Sequence, residues 1–93
     1  METPDLILLD INLPKLNGKE VLAEIKKDED LMIIPVVMLT TSDSEKDILE
    51  SYQHHANCYI IKPVDFQKFM DVIYMIKDFW TSIVQLPNKK SYE

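Results

Sequence analysis

The sequence predicts an α/β domain, a three-stranded parallel sheet with about three helices. Short apolar segments alternate with amphipathic ones, the order of a parallel sheet covered by helices. None of the apolar segments shows polar alternation, so each strand is expected to be covered on both faces. Each also ends in a different polar residue, Asp10, Thr40 or Lys62.

The strands are expected at Leu6 to Leu9, Val36 to Leu39 and Tyr59 to Ile61. The first helix starts near Asn17, whose side chain caps while Glu20 answers three residues later, and Val21, Leu22 and Ile25 form its buried stripe. It fades into Lys26-Lys27-Asp28-Glu29-Asp30, read as a solvated helix end. The second helix begins at Ser42 with Glu45 in capping-box spacing, carries Ile48, Leu49 and Tyr52 at the spacing of an apolar stripe, and ends around His54-His55. Adjacent helical histidines diverge by about 100° and no third His lies close by in sequence, so they are assigned no metal. The third helix is the longest. Asp65 caps it, Phe66, Phe69, Met70, Ile73, Ile76, Trp80, Ile83 and Val84 recur at helical spacing, and Pro87 closes it. Residues 1–87 form the domain, and 88–93 have no apolar pattern and read as a flexible tail.

Composition narrows the function classes. A chain of 93 residues buries only somewhat over half of its unfolded surface, so a partner subunit would add stability. Sixteen acidic against ten basic side chains give a net charge of −6, which opposes direct binding to nucleic acid or anionic lipid. No apolar stretch approaches the roughly 20 residues of a membrane span, and the first residues do not form a secretory leader, so a cytoplasmic setting is expected. Cys58 is alone, which excludes an internal disulfide and a cysteine zinc site and suggests a small buried filler.

The chemistry lies at the strand ends. Parallel sheets place their sites at the carboxyl ends of strands about 4.8 Å apart, so Asp10, Thr40 and Lys62 should converge. A carboxylate nucleophile with a hydroxyl and an ammonium to neutralise oxyanions suits phosphoryl transfer.

The segments Pro4-Asp5-Leu6-Ile7-Leu8-Leu9-Asp10-Ile11-Asn12-Leu13-Pro14 with Gly18, Pro35-Val36-Val37-Met38-Leu39-Thr40-Thr41, and Tyr59-Ile60-Ile61-Lys62-Pro63 resemble a response-regulator receiver domain of two-component systems. The Phe79-Trp80 pair of the final helix is similar to the phytochrome-associated single-domain branch. The resemblance implies a flavodoxin-like receiver fold lacking its amino-terminal part, the first two strands and helices. It implies that Asp10 is the phosphoacceptor, that Asn12 offers its backbone carbonyl to Mg²⁺, that Thr40 and Lys62 bind the phosphoryl group, and that Tyr59 is the aromatic switch. It further implies a cis peptide bond at Lys62-Pro63, and Thr41, where the family has a small residue, would narrow access to Asp10. With Asp10 and Asn12 alone as metal ligands, Mg²⁺ is expected to bind weakly.

The missing part would leave Leu6 to Leu9 as a sheet edge. An antiparallel homodimer through that edge is expected to complete the sheet, with Phe69, Ile73, Ile76 and Trp80 of the final helix in the same interface. Two functional readings stand. One is a receiver, not itself an enzyme, phosphorylated by a sensor histidine kinase or phosphotransfer protein and signalling through protein contacts. The other is a non-phosphorylated dimerisation or interaction module. A metal-dependent phosphatase with an aspartyl nucleophile is a third class, disfavoured because Asn12 stands where its second Asp is required.

Overall fold

The computed structural model describes residues 4–87, so the expected tail at 88–93 lies outside the described residues. The chain divides into two compact units, Met1–Lys62 and Pro63–Glu93.

The first unit is built on a parallel sheet of β1 (Ile7–Leu9), β4 (Val36–Thr40) and β5 (Cys58–Ile61), in the order β1-β4-β5. A two-residue-strand hairpin, β2 (Asn12–Leu13) with β3 (Leu16–Asn17), follows β1, and α1 (Gly18–Lys27) and α2 (Glu45–Gln53) connect the sheet strands. Parallel neighbours require such crossover connections. Ile7, Leu8 and Leu9 lie beside Val36, Val37 and Met38, while Met38 and Thr40 lie beside Tyr59 and Ile61. This register brings the ends of the strands level. Among the described residues only the central strand β4 is buried along its whole length, since β1 and β5 each pair on one side alone; Leu8 and Ile61 are exposed, against the expectation that every strand would be covered on both faces.

Leu9, Ile11, Leu22, Val36, Met38 and Ala56 form the core, with Ile7, Leu13, Val21, Ile25 and Tyr59 against it. The α1 stripe is therefore the expected one. The α2 stripe is not. Leu49 and Tyr52 are 58% and 48% exposed, Ile48 is half-buried, and the fully buried residue is Ser51. A serine can sit there because its hydroxyl donates to the Asp47 carbonyl at 2.7 Å, which leaves no orphaned polar atom inside.

The ends of the helices have local causes. Asn17 caps α1 by accepting from the Lys19 N–H at 2.8 Å. The α2 cap is Ser44, accepting from the Asp47 N–H, rather than Ser42, whose hydroxyl instead donates to the Asp47 carboxylate. At the other end of α2, the His55 N–H bonds to the Tyr52 carbonyl and the Ala56 N–H to the Ser51 carbonyl, the double closure of a Schellman motif. His55 accordingly has φ 72°, at a position where glycine is usual. Lys26 is not part of a solvated cluster. Its ammonium donates to the carbonyls of Met32 (3.1 Å) and Ile34 (2.9 Å) and to Asn57 Oδ1 (3.4 Å), tying the end of α1 to the start of β4. Burial without a carboxylate partner pushes its pKa down.

In the second unit, Asp65 caps α3 (Phe66–Asp78) by accepting from the N–H groups of Gln67 and Lys68, as expected. A π-helical turn (Phe79–Ile83) continues it, closed by the Val84 N–H on the Phe79 carbonyl. The helix thus stops before Pro87. Phe79 and Trp80 meet edge to face, with ring centroids 5.6 Å apart. Phe66 and Ile83 are exposed, although both fall on the expected apolar stripe. Among the described residues no helix is long and apolar enough to cross a membrane.

Candidate functional site

All of the expected site residues except Pro63 lie in the first unit. Asp10 follows β1, Thr40 ends β4 and Lys62 follows β5, whose N–H bonds the Thr40 carbonyl at 2.7 Å. From there Lys62 Nζ reaches across the end of the sheet to Asp10 Oδ2 at 2.8 Å. The other carboxylate oxygen accepts from the Asn12 N–H at 2.9 Å, a local turn that fixes the rotamer of Asp10. Thr40 is fully buried. Burial pushes the Asp10 carboxyl up, but hydrogen bonds from Lys62, Thr40 and the Asn12 N–H overcome it and hold the group below the usual carboxylate value. Asp10 is therefore ionised at neutral pH, the form in which a carboxylate can act as a nucleophile.

Tyr59, half-buried against the core, donates its hydroxyl to the Ser42 carbonyl at 2.9 Å. Ser42 in turn gives its N–H to Thr40 Oγ1 at 3.4 Å, so the tyrosine is joined to the site through the loop after β4. Thr41 is exposed. Cys58 is half-buried, and that burial pushes its thiol up, consistent with a packing residue. His54 and His55 are exposed at the end of α2.

One expectation is corrected. The Lys62-Pro63 bond is trans, as are all the described peptide bonds. Trans is the lower-energy isomer of an X-Pro bond by about 0.5–1 kcal/mol, and with it Lys62 already reaches Asp10, so no cis turn is required to aim the lysine.

The loop between Asp10 and α1 is shaped by Pro14 and Gly18, both in the segment that carries the resemblance, and by Lys15, which the sequence reading passed over. Pro14 and Lys15 form the turn of the β2–β3 hairpin, with Lys15 at φ 64°. Gly18 then brings the chain back against Asp10: its N–H bonds the Ile11 carbonyl at 2.9 Å, and an added Cβ would overlap the Asp10 carbonyl oxygen and stand 2.7 Å from Ile11 Cα. The Asn-Leu-Pro-x-x-x-Gly spacing was the available signal for that close approach. A cleft of about 640 Å³ runs beside the hairpin, with Lys19 and Asp47 on its wall.

Among the described residues no group of three His, Cys, Asp or Glu side chains could hold a metal, and the expected ligands, the Asp10 carboxylate and the Asn12 carbonyl, would offer two hard oxygens. Mg²⁺ prefers about six oxygens, so these residues alone do not fit a closed site.

The sequence pattern of the response regulator receiver domain matches residues 1–74. The chain belongs to the response-regulator receiver family. It is 51% identical over 84 residues to the response regulator Rcp1 of Synechocystis sp., covering 90% of this chain and 57% of that protein. It is 38% identical over 72 residues to PilH of Pseudomonas aeruginosa, covering 77% of this chain and 60% of the relative. Among solved structures it is similar to the phosphorylated cyanobacterial phytochrome response regulator RcpA, with TM-score 0.91 and 52% identity over 94% of this chain and 62% of that one. The Mn²⁺-bound form of Rcp1 gives TM-score 0.88 and 49% identity, over 94% of this chain and 63% of that chain. The expected kinship with phytochrome-associated regulators and the receiver fold are therefore borne out. The chain spans 57% of the length of Rcp1 and 60% of that of PilH.

Proposed function

We propose that the chain acts as a two-component receiver that takes a phosphoryl group onto Asp10 from a sensor histidine kinase or phosphotransfer protein and signals through protein contacts. The observation that carries the reading is the 2.8 Å pair of Lys62 with an ionised Asp10 at the carboxyl end of the sheet, beside buried Thr40. In the transfer, an Asp10 carboxylate oxygen bonds to phosphorus while the bond from phosphorus to the donor's imidazole nitrogen breaks and the ring keeps its electron pair. Lys62 and the Thr40 hydroxyl then neutralise the phosphoryl oxygens. Tyr59 is the switch: when Thr40 is drawn to the phosphoryl group, the ring moves into the space left behind. Asp10 and the Asn12 carbonyl would hold Mg²⁺, weakly because the described residues offer no further carboxylates there, and the bound ion would supply neutralising charge during the transfer. The phosphorylated form of RcpA and the Mn²⁺-bound form of Rcp1 support this reading. A cytoplasmic setting suits such partners, and a charge of −6 opposes direct binding to nucleic acid.

Incubation with acetyl phosphate and Mg²⁺, followed by intact mass and peptide mapping, tests the reading. One added phosphoryl group on the peptide holding Asp10 is expected, and an unchanged mass would overturn it.

The sparse metal ligands favour a second reading, a non-phosphorylated dimerisation or interaction module. Both readings include a homodimer. Among the described residues β1 pairs only with β4, so its other side offers backbone groups to a second copy, which would make a six-stranded sheet. The final helix, in the second unit, would add Phe69, Ile73, Ile76 and Trp80 to the dimer contacts. Light scattering should give the mass of a dimer; a stable monomer sinks this part of the proposal.

A further inference from the structure

We propose that Lys19 and Asp47 are positioning residues for Thr40, acting through Ser42. The inference rests on the phosphoacceptor reading of Asp10 and adds how the hydroxyl beside it is aimed. Lys19 is the second residue of α1, directly after the glycine that lies against the Asp10 backbone, so its stem starts from a fixed point of the site. Its ammonium reaches α2, contacting Asp47 Oδ1 at 2.7 Å and Glu50 Oε2 at 2.6 Å. The pair is more enclosed than an ordinary surface bridge, with the Lys19 and Asp47 side chains 15% and 22% exposed.

Asp47 spends its second oxygen on Ser42, whose hydroxyl donates to Oδ2 at 2.7 Å. Every polar atom of Ser42 is then committed. Its carbonyl accepts from Tyr59, its hydroxyl oxygen accepts from the Ser44 N–H at 3.3 Å, and its N–H points at Thr40 Oγ1 at 3.4 Å. A hydroxyl that accepts from a fixed N–H has its own proton left to give elsewhere, and the carboxylate of Asp10 is the acceptor beside it. The ion pair thus fixes the loop between β4 and α2, the loop fixes the Ser42 N–H, and that N–H orients Thr40 as a donor toward Asp10. Moving Thr40 toward a phosphoryl group requires Ser42 to let go, so the same contacts link the site to the start of α2.

The test uses the full chain, ¹⁵N-labelled, as wild type, Lys19→Met, Lys19→Arg and Asp47→Asn. In Lys19→Met the amide signals of residues 41–44 should shift or broaden while those of β1 stay in place, and Lys19→Arg should restore them. Phosphoryl uptake from acetyl phosphate should slow about tenfold in Lys19→Met, a modest version of the rate lost when a reacting group is misplaced by about 1 Å. Unchanged signals for 41–44 in Lys19→Met overturn the proposal whether or not the protein is phosphorylated. If the wild type takes up no phosphoryl group, the phosphoacceptor reading fails and the amide signals alone decide the positioning role. Should Lys19→Met not fold, Asp47→Asn, which keeps the Lys19 contact with Glu50, carries the same spectroscopic criterion.

Discussion

Gly18→Ala should destabilise the protein by about 3 kcal/mol, the upper end of the range for forcing a methyl group into filled space. The added Cβ would meet backbone, the Asp10 carbonyl oxygen and carbon and Ile11 Cα, and backbone cannot turn aside as the end of a long side chain can. Either α1 must move away or the end of β1 must. The first choice breaks the bond from the Gly18 N–H to the Ile11 carbonyl and lifts Leu22 from the core; the second displaces Asp10 from Lys62. For a domain of this size the loss corresponds to a fall in Tm on the order of 15 °C. Thermal unfolding followed by circular dichroism measures it, and a midpoint within a few degrees of wild type would mean that the close approach is not needed. The Lys62–Asp10 contact should weaken in parallel, readable as a rise in the Asp10 pKa. That second readout separates damage to the site from general loosening of the fold.

The parts of this architecture that were legible in the sequence were those set by local pattern. The apolar runs at β1, β4 and β5, the stripe of Val21, Leu22 and Ile25, and the caps at Asn17 and Asp65 are short-range signals, and the structure keeps them. Ser42-x-x-Glu45 and Ser44-x-x-Asp47 are both capping patterns, and sequence could not rank them. The choice falls to Ser44 because Ser42 is drawn into contacts with Tyr59 and Thr40 from other elements. The α2 face was misjudged for a related reason: a buried serine bonded to its own helix looks polar in a hydropathy pattern. Lys15 gives no sign that it will adopt positive φ, so the hairpin beside Asp10 was invisible. Lys19 and Asp47, 28 positions apart, share no local pattern that would join them. The trio of Asp10, Thr40 and Lys62 could be read because a parallel sheet converts three strand ends into one place, a rule of topology rather than of neighbours.

Lys62→Met should slow phosphoryl transfer to Asp10 by about 10²-fold, the usual loss when one donor to a developing oxyanion is removed. Methionine keeps most of the stem's volume and removes the charge, so the effect isolates the ammonium from its packing. Two consequences of losing it have to be separated. The first concerns the nucleophile: without Lys62, burial is less opposed and the Asp10 pKa rises, yet it starts below the usual carboxylate value. At neutral pH the carboxylate therefore stays ionised, and the nucleophile is not lost. The second concerns the phosphoryl oxygens, which no longer meet a cation 2.8 Å from the attacking carboxylate. That loss is what lowers the rate, so the deficit should persist across neutral pH instead of disappearing as the pH is raised. In the resting protein the sign is also fixed. A carboxyl with a lowered folded-state pKa contributes stability that is full above its unfolded value, near 3.8, and is lost as pH falls through the folded value. Raising the folded pKa in Lys62→Met removes part of that contribution, so the variant should be less stable above that range and differ less from wild type in strong acid. A ¹³C titration of the Asp10 carboxyl, together with a time course of intact mass in acetyl phosphate, measures both effects. Asp10→Asn gives the zero of the mass assay, since an amide has no carboxylate oxygen to bond to phosphorus. Lys62→Met phosphorylated at the wild-type rate would remove the lysine from the chemistry and leave its pair with Asp10 as a structural contact.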